Sequence, residues 1–183
     1  MVARKTYAFL TFTYNLYHIS KEFTMYYNPN IITPHEKKAE ELFLAGYNCA
    51  QAVFAAFSDL TGISVEDSAR LASSFGGGMC GLRSTCGSVS GMLMALGAVK
   101  GYSDPADQDG KSAQYKVGKA LADEFTALLG STVCRELLAG MKLSATPSVR
   151  TEEYYKKRPC AKFCAVAAHL LDGYLESLES DED

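Results

Sequence analysis

The chain has 183 residues, a formal net charge of −3 and a sequence pI near 5.7. That length accommodates one domain with a sizeable core, and that charge gives no basis for a nucleic-acid or anionic-membrane partner. No stretch is long and apolar enough to cross a bilayer. Six cysteines stand in a chain without a convincing export signal, so the expected setting is cytoplasmic, where thiols more often bind metal or catalyse than staple.

Residues 1–30 differ from the remainder: Tyr7, Phe9, Phe12, Tyr14, Tyr17, Phe23, Tyr26 and Tyr27 crowd among threonines. Arg4 and Lys5 precede an apolar run as in a signal peptide, but Thr11, Thr13 and Asn15 interrupt it and no small-residue cleavage site follows. Met25 is an alternative start of translation. The expected division is a loosely attached aromatic extension over 1–30 and a single helical domain over 31–183.

Thr33-Pro34-His35-Glu36 has the form of a helix start, with a cap, a proline in first position and acid in the first turn. Ala39, Leu42, Phe43, Gly46, Ala50, Val53, Phe54 and Phe57 then recur at helical spacing, predicting one helix that closes near Thr61-Gly62 with Cys49 on its inward face. Ser64 caps a second, short helix to about Ser74.

The chain is organised around Phe75–Gly97, where Gly76, Gly77, Gly78 and Gly81 lead through Cys80 to Ser84, Thr85 and Cys86. Ser84 or Thr85 is expected to cap a central helix and to put Cys86 in its first turn, where the helix dipole should draw the thiol toward thiolate. Inside that helix Gly87, Gly91 and Ala95 fall four apart and leave a bare face, suited to a neighbouring helix or a bulky inorganic group. A phosphate-binding loop is disfavoured, because no Gly-Lys-Ser/Thr follows and no strand precedes Phe75.

Gly101–Gly110 reads as a turn-rich connection. A fourth helix runs to about Leu129 on Val117, Leu121, Phe125, Leu128 and Leu129, and Gly130 ends it. Ser131 caps a short fifth helix with Cys134 in its first turn, 141–150 is loop, and Pro159 opens a last helix through Cys160, Phe163, Cys164, Ala167, Leu170, Leu171, Tyr174, Leu175 and Leu178. The expected fold is all-α: a compact bundle of five to six helices with a glycine-rich loop before the central helix.

On this reading Cys86, Cys134 and Cys160 each open a separate helix and Cys49 faces inward on a fourth, so four sulfurs could approach one centre. The competing reading is that each cysteine is a small buried hydrophobe. Cys80 and Cys86 could bridge across the glycine loop, whereas Cys160 and Cys164, one turn apart, rarely meet in disulfide geometry. There is no Cys-x-x-Cys, no ferredoxin spacing and no His-Glu-x-x-His, and His18, His35 and His169 are isolated. Nothing marks the nucleophile turn of a hydrolase.

GYNCAQAVFAAF, FGGGM followed by TCGSVSGMLMALG, then VCRELL and RPCAKFCAVAAHLL resemble the redox-active bacterial and archaeal family named for its pattern C_GCAxxG_C_C. The resemblance runs over roughly Lys37 to Leu178. Cys49 corresponds to the family's first cysteine, Cys86-Gly87-Ser88-Val89-Ser90-Gly91 to the central motif with Ser88 in place of alanine, Cys134 to the third cysteine and Cys160 to the fourth. Cys80 and Cys164 lie beyond those four. The resemblance implies redox activity, and its members are often encoded near transporter genes.

Three uses of the cysteines are therefore expected in order. In the first, Cys49, Cys86, Cys134 and Cys160 hold an iron–sulfur cluster for electron transfer, with Gly76, Gly77 and Gly78 giving room and N–H donors, and Gly87 and Gly91 a bare face. In the second, the same thiols exchange disulfides without metal, with Cys86 as attacking thiolate and a redox partner protein on the other side. In the third, a non-catalytic module docks on a membrane transporter or forms a homo-oligomer. A structural zinc site lies between the first and third.

Overall fold

The computed structural model describes residues 25–144 and 146–180. The signal-like run and most of the aromatic extension, together with the end of the acidic tail, lie outside the described residues. These residues are all-α, with no strand beyond one isolated bridge. No helix among them is long and apolar enough to cross a membrane.

Thr33 caps α1 (Pro34–Leu44) in a reciprocal box with Glu36. The single long helix expected here is in fact two. Gly46 takes φ 108°, a left-handed turn that ends α1. Asn48 then caps α2 (Cys49–Ala56): its side chain accepts from Ala50 and Gln51 N–H while the Gln51 side chain accepts from Asn48 N–H. The apolar spacing runs on through the break, which is why periodicity alone conceals it. The one-turn α3 (Ser58–Thr61) ends at left-handed Gly62, and Ser64 caps α4 (Val65–Leu71), which stops earlier than the sequence suggests and passes into a 3₁₀ turn, Ser73–Phe75.

The central helix α5 (Gly87–Lys100) is followed by α6 (Gln108–Leu129), capped by Asp107 and closed by left-handed Gly130. Next come α7 (Cys134–Leu137), α8 (Glu152–Lys157) and α9 (Cys160–Ser180). Nine helical segments thus stand among the described residues in place of five or six, because the first expected helix divides into α1, α2 and α3 and α8 adds one more. Ser131 does not cap α7 directly; Val133 is its N-cap, and Ser131 Oγ accepts from Val133 N–H. The helix α8, which the sequence reading left out, starts at a Thr151 cap.

α9 is buried nearly all round from Cys160 to Asp172 and packs on α1, α2, α5 and α6, as a helix without a polar face must. α2 lies between α1 and α5, and its alanines bring the backbones close. Phe43, Phe57, Met92, Leu96, Leu121, Phe125, Leu170 and Leu171 fill the core between them. Two buried polar links fix α1 across α9. His35 Nδ1 meets Asp172 Oδ1 at 2.5 Å with its ring stacked on Phe57, and His169 Nδ1 meets Glu36 Oε2 at 2.7 Å. Residues 25–28 also pack on this face: Asn28 N–H donates to His169 Nε2, and Tyr26 sets its ring edge-on to Tyr174.

Candidate functional site

Every one of the four motif cysteines begins a helix. Cys49 is the first residue of α2, Cys134 of α7 and Cys160 of α9, while Cys86 is itself the N-cap of α5. Neither Ser84 nor Thr85 caps α5. Their backbone is occupied instead by a short antiparallel bridge, in which Cys86 N–H donates to Thr132 O and Cys134 N–H to Ser84 O, both at 2.7 Å. That bridge ties the start of α5 to the start of α7 and so sets Cys86 and Cys134 on adjacent segments.

Cys49, Cys134 and Cys160 line one cavity of about 390 Å³, at the junction of the glycine loop with the starts of α2, α7 and α9. The Cys49 side chain lies close enough to those of Cys160 and Cys164 for both to shift its ionisation. Cys86 is buried and is not part of the wall, but it lies within electrostatic reach of Cys49 and Cys160. All six cysteines are free, so Cys80 and Cys86 do not bridge. Cys164 is turned to the Cys49 carbonyl at 3.7 Å and to Ser88 Oγ at 3.4 Å. Among the described residues no three Cys, His, Asp or Glu side chains are grouped closely enough to hold one metal ion.

The glycines divide between two tasks. Gly76 and Gly77 line the cavity, and a Cβ on Gly76 would strike the Asn48 side chain at 2.4 Å. Gly78, Gly87 and Gly91 are not on the wall. A Cβ on Gly78 would meet Cys134 Cβ at 2.7 Å, one on Gly87 would meet Ala50 N and Cys49 Cβ at 3.1 Å, and one on Gly91 would meet the Ala50 carbonyl at 2.6 Å. The bare face of α5 is therefore filled by α2, the neighbouring-helix alternative rather than an inorganic group.

The thiols are not drawn toward thiolate. Burial pushes Cys86 up to about 11, against the opposing pull of the Ser88 and Val89 N–H groups and the Ser88 hydroxyl. The expected lowering at this helix start is thus reversed, because desolvation of the charged form outweighs the dipole. A hydrogen bond from Cys160 draws Cys49 down, yet the bond with Cys164 and burial leave it well above the ordinary range. Cys160 is raised by the same contact with Cys49 and by burial. Burial also raises Cys134, with Arg83 opposing.

Sequence reasoning missed the arginines. Arg83, Arg150 and Arg158 all line the cavity, as does the exposed Cys80. Arg150 stacks its guanidinium 4.7 Å from both the Phe43 and Tyr154 rings and donates to Tyr47 O, while Arg158 lies 5.0 Å from Tyr154. Arg83 donates to Ser144 O. The only trace of this in the sequence is Thr151-Glu152-Glu153, a cap followed by acid that announces α8 and hence the placement of Tyr154.

The sequence model of the family described as "Putative redox-active protein (C_GCAxxG_C_C)" matches residues 47–174, a span that holds all six cysteines. No curated protein and no solved structure matches the chain. With four cysteines opening four helices inside a match that covers most of its length, the chain belongs to the C_GCAxxG_C_C family.

Proposed function

We propose that the protein is a thiol–disulfide redox protein in which Cys49 and Cys160 form the exchanging pair. The observation that carries this reading is the placement of the two thiols, at the starts of α2 and α9, on the wall of one cavity and near enough to shift each other's ionisation. Oxidation of such a pair to a disulfide releases two electrons and two protons and needs no third ligand. Cys86, buried behind the wall, is a supporting thiol here and not the attacking group that its helix position suggested. Cys134 and Cys80 are the further thiols on the cavity wall.

An iron–sulfur cluster on Cys49, Cys86, Cys134 and Cys160 is the other use of the same thiols. It requires at least three of them to close on one centre, and among the described residues no three metal-ligating side chains are so grouped.

The test is a thiol count on reduced protein before and after a small disulfide oxidant, with the new bond mapped by mass spectrometry. A reversible loss of two thiols, mapped to Cys49–Cys160 and abolished in both Cys49→Ser and Cys160→Ser, is expected. An unchanged thiol count would refute the reading. An absorption spectrum of protein purified without oxygen, with iron and sulfide assayed, separates the cluster from the dithiol.

A further inference from the structure

The cavity beside the thiols carries an unusual charge. Arg83, Arg150 and Arg158 line it and no aspartate or glutamate does, although the chain as a whole is acidic. Among the described residues none of the three pairs with a carboxylate; the ion pairs found there use His35, His169, Arg70 and lysines. Two of their nitrogens, Arg83 Nε and Arg150 Nη1, are buried without a hydrogen-bond partner. A buried donor left unmade is costly, and more so when it belongs to a charged group. Three guanidinium groups around a concavity, with donors to spare, are what recognition of carboxylate or another oxyanion uses.

The same residues are held firmly. Arg150 is stacked against Phe43, Tyr154 and Tyr155 and anchored on the Tyr47 carbonyl, and Arg158 shares the Tyr154 ring. The aromatic stacking fixes both guanidinium groups in place, so little side-chain freedom is lost when an anion arrives. The cavity volume of about 390 Å³ lies within the range of small-ligand sites.

Resting on the exchange reading above, we infer that the cavity takes a small organic disulfide bearing two or more negative charges, held by Arg83, Arg150 and Arg158 with its sulfurs against Cys49 and Cys160. The step balances. One thiol of the pair gives up its proton and its sulfur attacks a substrate sulfur; the substrate S–S bond breaks, and the leaving sulfur takes the electron pair and a proton. The second protein thiol then attacks the mixed disulfide, releasing the other half as a thiol with the second proton. The protein dithiol loses two electrons to form Cys49–Cys160, and one disulfide becomes two thiols.

The experiment measures oxidation of the reduced protein by glutathione disulfide, which is anionic, against cystamine, which is cationic. It is run on the full chain and on the Arg83→Gln/Arg158→Gln double variant, with Arg150 left alone because its stacking supports the fold. The wild-type ratio of the two rates should fall at least about tenfold in the double variant, the equivalent of ~1.4 kcal/mol of charge recognition. An equal ratio in both, with the variant folded by circular dichroism, overturns the inference. Calorimetry with S-methylglutathione on the Cys49→Ser/Cys160→Ser variant separates the two claims. Binding that is lost when the two arginine changes are added supports the anion site even where no disulfide oxidises the wild type, an outcome that would sink the exchange reading alone. Absence of binding overturns the anion site, whatever the pair does.

Discussion

Gly91→Ala tests how closely α2 and α5 approach behind the thiols. A Cβ at this position would lie 2.6 Å from the Ala50 carbonyl oxygen, 3.0 Å from Val53 Cβ and 3.2 Å from Ala50 Cα. Two of those atoms are backbone, so no rotamer change relieves the clash and the helices must separate. Alanine gains about 1 kcal/mol in helix propensity over glycine, while overpacking of this kind costs about 1–3 kcal/mol. With backbone as the obstacle the upper part of that range applies, and the net is a loss of about 1–2 kcal/mol. Gly97→Ala is the control on the same helix: it is exposed, and nothing lies within 4 Å of its added Cβ. It should be neutral to stabilising by up to about 1 kcal/mol. Urea unfolding under reducing conditions, followed by the helical circular-dichroism signal, measures both. A Gly91→Ala protein as stable as wild type would refute the claim that α2 fills the bare face of α5.

The remaining predictions concern pH. His35 is raised above 6.5: burial lowers it, but Asp172 and Asp59, facing it from α9 and α3, outweigh that. Its contribution to stability is therefore complete below pH 6.5 and is lost as pH rises through the folded value; His35→Asn should flatten this loss and destabilise by about 3–5 kcal/mol, since it strands buried Asp172. Burial raises Cys86 where it lowers His35, yet the sign of the stability change with pH is the same. The folded Cys86 pKa of about 11 against an ordinary 9.0 means stability is intact below pH 9 and falls on the way to pH 11, by up to about 2.7 kcal/mol. Cys86→Ala should remove that share of the alkaline loss in urea titrations; an identical slope in the variant would contradict the assigned burial effect.

The longer elements were legible where local chemistry and periodicity agree. Pro159 followed by an apolar stripe gives α9, Ser64 gives α4, and Gly130 closes α6. The break between α1 and α2 was not, because the apolar spacing from Ala39 to Phe57 continues across it; only Gly46 and the Asn48–Gln51 box mark it, and glycine and asparagine also occur inside helices. Missing that break placed Cys49 on the inward face partway along a long helix instead of at a helix start. The cysteine set itself could be read from helix starts, but the partners that decide its chemistry could not. Arg83, Arg150 and Arg158 come from a left-handed turn, a loop and a helix end, and their convergence is a product of tertiary packing that leaves no local pattern.

The sign of the thiol pKa values follows from the same limit. A helix start favours negative charge by about 0.3–1 kcal/mol, up to ~2 where partly buried. The rise of Cys86 from 9.0 to about 11 is about 2.7 kcal/mol in the opposite direction, after the Ser88 and Val89 N–H groups have acted. Burial therefore wins at Cys86, and Cys49 and Cys160 are held neutral as well. On the proposed reading a resting dithiol of this kind reacts slowly with oxidants that merely diffuse past, since only the thiolate attacks. What offsets a small thiolate fraction is a high local concentration of substrate beside the sulfurs, because holding two reactants together replaces a bimolecular step with an effectively unimolecular one. The arginines on the cavity wall serve both ends of that requirement: Arg158 and Arg150 favour the Cys160 thiolate, Arg83 favours that of Cys134, and on the proposal above the positive charge of all three holds an anionic substrate in place. Buried neutral thiols beside an arginine-lined cavity thus make selectivity a matter of which molecule can stay, not of how reactive the sulfur is.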